Sequence, residues 1–461
     1  MSSRADRGRD IVRRTFGGAL YQQGRGFYSA LELLAIIRGE VLLEAFEEHL
    51  GAGGDRVLPS DGPAIYLRPT HDHARRLLVA NDRVVDGVFA NSETQLAVRS
   101  LLRGLEAPVP GRRRAPGKWQ LRHFYPSPSE AVHYDAVERR GKPVVERYQF
   151  RGAGGLAHKI LRSDPDATRL NESRSTFRAL LRDSGSSVGV LLSALAKHDA
   201  VPATGPTQPE THEQLLDCAF RDEVEAASLA WLSDAGSAQD QSTDWMGLLR
   251  EGVHRILHRP ELSAFDRIDG LMHWVPWCIA RHQLAMARRA LGKDENAPFA
   301  FDAGHQTSPV RSLARRHLGN ATAAIKESLQ SRAREAGLDD LNGGGAAWWK
   351  GPRSFFTTTM YAVGALNANT GHRHFEVRPQ LLQVIVHALV DKPIPADRFS
   401  REILGERLRM VCDRESASPF GPADVDGRDL QKNGQFLTSR LDEVGLLRAF
   451  SDSTLMVGVH E

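Results

Sequence analysis

Two histidine pairs are the first residues whose spacing bears on chemistry. His71-Asp72-His73 and His372-Arg373-His374 each place imidazoles two residues apart. On a strand such residues face the same way and can share a divalent metal. Either pair still needs a third ligand, and the sequence brings none near. The first pair follows Pro69 and opens an expected helix, where residues two apart diverge. Arg373 stands inside the second and opposes a concentrated cation site. Between His254 and His282 the pairs His254/His258 and Cys278/His282 have the i,i+4 spacing of metal-binding helices, with His273 between them. No His-Glu-x-x-His arrangement accompanies them, so hydrolase chemistry is not indicated. Cys278 and His282 lie near an apolar face, where a hydrogen-bonded core histidine is expected. Trp274 and Trp277 read as core or as a subunit contact.

Phosphate and nucleophile motifs are incomplete. Gly152-Ala153-Gly154-Gly155 is followed by Lys159, but the spacing is not that of a Walker loop, and Ile160 stands where a magnesium-binding hydroxyl belongs. A tight turn after a strand at Val144–Phe150 is the expected structure. No Gly-x-Ser-x-Gly elbow nominates a serine nucleophile. No catalytic residue, metal ligand or cofactor is therefore assigned.

Two basic groups bear on nucleic acid. Arg112, Arg113, Arg114, Lys118, Arg122 and His123 are interleaved with Trp119, Phe124 and Tyr125. Guanidinium groups neutralise phosphates while aromatic rings stack on bases, so a Pro/Gly-rich loop presenting them together suits a nucleic-acid contact. Arg311, Arg315, Arg316, Lys326, Arg332 and Arg334 decorate a later helix, though only some share a face. A solvated surface would show the same residues.

The chain that must position these groups has 461 residues, long enough for roughly two to four domains. Its 60 basic and 57 acidic residues give a net charge of +3, so any attraction for nucleic acid must be local. Cys218, Cys278 and Cys412 are widely spaced and fit a reducing cytosol. No apolar run approaches the ~18–20 residues of a membrane span, and no signal-peptide pattern opens the chain. A cytoplasmic protein without membrane partners is expected.

The expected fold is mainly α and multi-domain. Residues 1–160 read as a mixed α+β region, with helices at Ser29–Leu50 and Ser92–Leu105 and extended pieces at Ala64–Leu67 and Pro143–Phe150. Residues 161–341 read as a helical middle domain. Its helices are expected at Asn171–Arg182, Val188–Lys197, Glu213–Leu232, Trp245–His258, Ala264–Leu291 and Pro309–Ala336. A Pro/Thr-rich linker falls at Val201–Thr211, Pro276 is expected to kink its helix, and Gly337 is a C-cap. After a joint at Asn342–Gly345, residues 346–461 read as a winged-helix-like domain. Its helices are Leu381–Val390, Asp397–Val411 and a third near Arg428–Arg448, before a strand at Thr454–Val459.

In the third helix, Leu430, Leu437, Leu441 and Val444 form one face at about 100° per residue. Arg428, Lys432, Gln435 and Ser439 fall opposite. One side is thereby suited to burial and the other to a DNA groove. Asp426 stands at the N-cap position. Gly434 is discordant, costing about 1 kcal/mol in a helix interior. A winged helix used only for packing or dimerisation would show the same outer face.

Arg353-Ser354-Phe355-Phe356, Gly364-Ala365-Leu366-Asn367-Ala368 and Thr370-Gly371-His372-Arg373, with Asn433, Leu441, Gly445-Leu446-Leu447 and Ser451-Asp452, carry a resemblance. Over roughly its final quarter the chain resembles a group of uncharacterised bacterial proteins of the methylation-associated defence type. These are encoded beside ATPases, methyltransferases and nucleases in anti-phage defence islands. The resemblance implies a non-catalytic component of a multi-protein defence system, with defence proteins as partners, and carries no catalytic residue across. The reading that follows is a DNA-associated or adaptor subunit. A protein-binding scaffold is the alternative, with Trp274 and Trp277 as contact anchors, and a metal-dependent nuclease stands third.

Overall fold

The computed structural model describes residues 4–18, 20, 29–34, 36–37, 65–67, 82–104, 135–139, 142–146, 152–182, 219–221, 243–304, 309–338, 348–367, 372–421, 425–450 and 454–459. The loop of Arg112, Arg113, Arg114, Lys118 and Arg122, the pair His71/His73, the linker Val201–Thr211 and the expected helix Val188–Lys197 lie outside them. The described chain is mainly helical, with small sheets. Among the described residues no helix is long and apolar enough to cross a membrane.

The chain divides into two compact units, one of residues 1–27, 236–262 and 270–461, the other of residues 28–235 and 263–269. Residues on both sides of 342–345 fall in the first unit. A parallel strand pair, Phe299–Ala300 with Met410–Val411, joins the two stretches through backbone bonds. Residues 1–27 are grouped with the first unit.

In the second unit, residues 29–34 and 36–37 are helical, as are Asp82–Val88, Ser92–Gly104, Ala153–Arg162 and Ala167–Arg182. Asp135–Arg139 and Lys142–Glu146 form an antiparallel hairpin. Ile65–Leu67 pairs antiparallel with Ala219–Arg221. That second pairing corrects the expected helix Glu213–Leu232. Backbone bonding to a β-branched and aromatic partner strand outweighs a weak helical propensity there.

The Gly-rich turn has a specific occupant. Glu32, 1 % exposed, accepts the Gly152 amide at 2.9 Å and the Gly154 amide at 2.7 Å. The carboxylate thus fills the N-terminal anion position of helix Ala153–Arg162, where free amides and the helix dipole favour negative charge. A phosphate has no room there. Gly152 takes a left-handed φ of 91° to aim its amide at Glu32.

The first unit runs as follows. Helix α1 is Arg4–Phe16, α2 is Asp244–His258 and α3 is Ala264–Ala290, whose first residues belong to the other unit; strand β1 is Phe299–Ala300. Helix α4 is Pro309–Glu335 and α5 is Lys350–Ala362. Then come α6, Pro379–Leu389, β2, Ile394–Pro395, and α7, Ala396–Arg398, which continues as a wide π-type helix over Phe399–Arg407. Strand β3 is Met410–Val411, α8 is Arg414–Ala417, α9 is Gly427–Glu443, β4 is Leu447–Ala449 and β5 is Leu455–Val457. Helix α3 continues through Pro276. Gly337 has a φ of 65°, as its C-cap position requires.

Aromatic rings make the core. Phe375 meets Phe299 at 5.3 Å, Phe301 at 5.1 Å and Phe356 at 6.5 Å between centroids, and Trp277 meets Trp245 and Phe301 at 6.3 Å. Trp274 donates to the Leu248 carbonyl and covers Gly252 so closely that an added Cβ there would stand 2.1 Å from the indole nitrogen. Both Trp274 and Trp277 are fully buried. They are core side chains, which removes them as anchors for a partner.

A buried arginine ties α2 to α6. Arg259 donates Nε to the His387 carbonyl at 2.7 Å and Nη2 to the Val386 and Val390 carbonyls, while Nη1 pairs with Glu261 at 2.6 Å. It bonds carbonyls at the C-terminal end of α6, where a helix leaves acceptors unpaired, with a cation, the charge that a helix C-terminus favours. Arg255 adds a bond to the Leu389 carbonyl. The first helix of the C-terminal region is therefore anchored on α2 and not on that region alone.

Candidate functional site

Helix α9 starts on the Asp426 side chain, which accepts the Arg428 amide at 2.7 Å. Leu430, Leu437 and Leu441 are buried, and Arg428, Lys432, Gln435 and Ser439 are all exposed. The two faces thus stand as their spacing implies except at Val444, which follows the helix as its C-cap and is half-buried. The helix ends at Glu443, short of the expected Arg448, because Gly445 takes a left-handed φ of 69° and Leu447–Ala449 leaves as a strand. The helix Asp397–Val411 is shortened likewise, ending at Arg407 before β3. Gly434 does not break α9. An added Cβ there would come 2.9 Å from Cβ of Asp413, so the glycine permits close packing of the helix on the turn before α8.

Around α9 the strands β2, β5 and β4 form a three-stranded antiparallel sheet in that order, with Ile394 and Leu447 both opposite Val457. The β4–β5 hairpin carries Arg448, whose guanidinium lies 5.5 Å from the exposed Phe450 ring. Phe436, on α9, is 40 % exposed.

What seats α9 is a residue that pattern reading passed over. Asn433 is fully buried on the leucine face. It donates Nδ2 to the Phe301 carbonyl at 2.9 Å and the Cys412 carbonyl at 2.5 Å, and accepts the Ala303 amide at 2.9 Å. One amide thereby joins α9, the chain after β1 and the chain after β3. Its sequence signal was a polar residue inside an apolar stripe, since buried polar groups are almost always bonded. Arg440 adds a bond from Nε to the Ala303 carbonyl at 3.3 Å.

Beside this seat lies a buried carboxylate. Asp302 Oδ2 accepts Arg311 Nε at 2.6 Å and stands 3.3 Å from His374 Nε2, and Oδ1 accepts the Gly304 amide at 3.0 Å. Burial acts to raise its pKa, but the bonds from His374, Gly304 and Arg311 outweigh it and hold the carboxyl below its ordinary range. The nearby Cys412 thiol is pushed well up by burial and by Asp413 and Asp302, so it stays protonated and unreactive. The set holds an ionised carboxylate in place; it offers no activated nucleophile.

Of the described histidine pairs, His372/His374 diverges and His254/His258 stays together. His372 is exposed and His374 buried, and His374 Nδ1 lies 3.0 Å from the His372 carbonyl, so the two rings share no direction. The His254 and His258 ring centroids lie 4.2 Å apart with their planes tilted by 34°, and His258 Nδ1 lies 2.7 Å from the His254 carbonyl. His282 is a core histidine, 2.9 Å from the Thr243 hydroxyl. Burial raises the pKa of Cys278 beside it far above a metal-binding thiol's. On α4 the basic residues are dispersed: Arg311 pairs with Asp302, Arg332 with Glu335, and Lys326 lies over Trp349.

His282 sets a pH dependence. Burial, against a raising bond to the Phe16 backbone, lowers its pKa from 6.5 to about 4. The unfolded chain therefore takes up a proton that the folded chain refuses between those values. Stability is full above pH 6.5 and falls as pH drops toward 4, by about 3 kcal/mol in all. Urea unfolding at several pH values checks this: His282→Gln is expected to flatten the profile in that window. An unchanged profile contradicts the assignment.

Comparison with known protein families, with curated proteins and with solved structures gives no match.

Proposed function

We propose that the C-terminal region is a winged helix that contacts nucleic acid, and that the chain is a non-catalytic DNA-associated adaptor of a bacterial anti-phage defence system. The observation that carries this reading is the exposed row Arg428, Lys432, Gln435 and Ser439 on α9. It lies on the last long helix before the β4–β5 hairpin, after α6, β2, α7 with its π-type continuation, β3 and α8, where winged helices keep the element that enters the major groove. Arg448 on the β4–β5 hairpin is a second candidate phosphate contact. The basic run Arg112, Arg113, Arg114, Lys118 and Arg122 is a third, resting on its sequence alone. The defence-system context rests on the resemblance of the final quarter.

Fluorescence anisotropy with a labelled duplex at low salt tests the contact. Arg428→Ala/Lys432→Ala is expected to weaken binding about tenfold or more, uniformly across duplex sequences, because these side chains neutralise phosphates. Wild-type affinity in the double variant removes α9 from the interface.

The exposed rings of Phe436 and Phe450 favour a second reading, a protein-docking scaffold. On that reading Phe450→Ser abolishes co-purification with a partner, and duplex affinity is absent even at low salt.

A further inference from the structure

A guanidinium carries its N–H donors in one plane. Arg281, on α3, is 3 % exposed. Trp245, Phe299 and Trp277 surround it, with ring centroids 4.3, 4.6 and 5.5 Å from Cζ. Such rings attract the charge but accept little from the in-plane donors. Nη2 reaches the Leu408 carbonyl at 3.3 Å. Nη1 and, one turn earlier on α3, the Trp277 indole Nε1 are buried with no acceptor.

The charges around it have the wrong sign for a self-contained site. Among the described residues no carboxylate lies within ion-pair distance of Arg281, and the guanidinium groups that act on it are Arg288 and Arg409. Arg288 is half-buried, donates to the Ala297 carbonyl at 2.9 Å and places Cζ 4.3 Å from the Phe299 ring that Arg281 also approaches. The Arg409 carbonyl accepts the Phe299 amide at 2.9 Å, and its φ of 55° is a left-handed conformation uncommon outside glycine. Buried charge is stable only when compensated. A water would satisfy the donors but leave the buried charge of Arg281 uncompensated, whereas an oxyanion supplies both acceptors and negative charge.

We propose that Arg281, Arg288, Arg409 and the Trp277 indole N–H form a binding site for a phosphate-type oxyanion, either the free ion or the phosphate end of a nucleotide. The proposal does not depend on nucleic-acid contact by α9.

Thermal unfolding and titration calorimetry of the full chain with inorganic phosphate test it, with chloride at equal ionic strength as control. Phosphate is expected to raise the Tm where chloride does not, because a ligand of the folded state alone stabilises it. Glycine adopts a left-handed φ without strain, so Arg409→Gly keeps the fold while phosphate affinity falls about tenfold. Arg288→Gln is expected to give a loss of the same size and serves if the glycine variant melts early. ATP binding more tightly than phosphate assigns the oxyanion to a nucleotide; equal binding assigns it to the free ion. A wild-type chain that responds to phosphate no more than to chloride overturns the site, as do variants that respond like wild type.

Discussion

Asn433→Leu is expected to destabilise the first unit by on the order of 4 kcal/mol, although it preserves side-chain size and favours the helix. The Asn433 amide serves the Phe301 carbonyl, the Cys412 carbonyl and the Ala303 amide, all in the interior. Leucine leaves those partners facing an apolar group, at about 1–3 kcal/mol for each buried group left unmatched. That is a large fraction of the roughly 5–15 kcal/mol by which a domain is stable. Gln435→Leu, on the exposed face, is the control and is expected to change stability by less than about 0.5 kcal/mol. Urea titrations followed by tryptophan fluorescence compare the two. A loss below about 1 kcal/mol for Asn433→Leu, no more than one typical hydrogen bond, shows that these bonds do not seat α9.

The second large effect falls at Gly154. Alanine there puts Cβ 2.5 Å from Cβ of Glu32 and 2.6 Å from the backbone nitrogen of Leu33. A backbone atom cannot rotate away, so one of the two segments must move. That displaces Glu32 from the Gly152 and Gly154 amides. Overpacking of this kind costs about 1–3 kcal/mol before the loss of charge-assisted bonds is added. We expect Gly154→Ala to lower the unfolding midpoint more than Glu32→Gln, which keeps one acceptor oxygen. Equal stability of Gly154→Ala and wild type would show that Glu32 does not occupy the turn.

These two positions mark where sequence reading succeeds and where it stops. The leucine spacing of α9 places Leu430, Leu437 and Leu441 inside and Arg428 and Lys432 outside, because a helix repeats about every 3.6 residues and each side follows from local order. The N-cap at Asp426 and the C-cap at Gly337 are legible for the same reason. The partners of Asn433, Glu32 and Asp302 are not, since they lie far along the chain and no local period encodes them; Asn433 shows locally only as a polar residue inside an apolar stripe. The strand Ala219–Arg221 fails in the same way, being defined by its pairing with Ile65–Leu67. Gly434 looked like a helix fault and is a close contact with Asp413.

For the site itself, the sequence supplied the exposed row but not what holds it. The row depends on a buried asparagine, a glycine contact and an anchor for α6 provided by Arg259 from another stretch of the chain. For the tryptophans the sequence left two alternatives open. Trp274 and Trp277 read as core or as a subunit contact, and burial decides for the core, because α3 is apolar on several sides.

The salt dependence of duplex binding by the full chain tests the nucleic-acid reading most directly. Each phosphate neutralised releases counterions, so log affinity falls linearly with log salt, by about 0.9 for each contact on a duplex. The account requires a measurable slope for the wild type and one shallower by about 2 for Arg428→Ala/Lys432→Ala. Equal slopes for the two proteins, or no duplex binding at low salt, would contradict it.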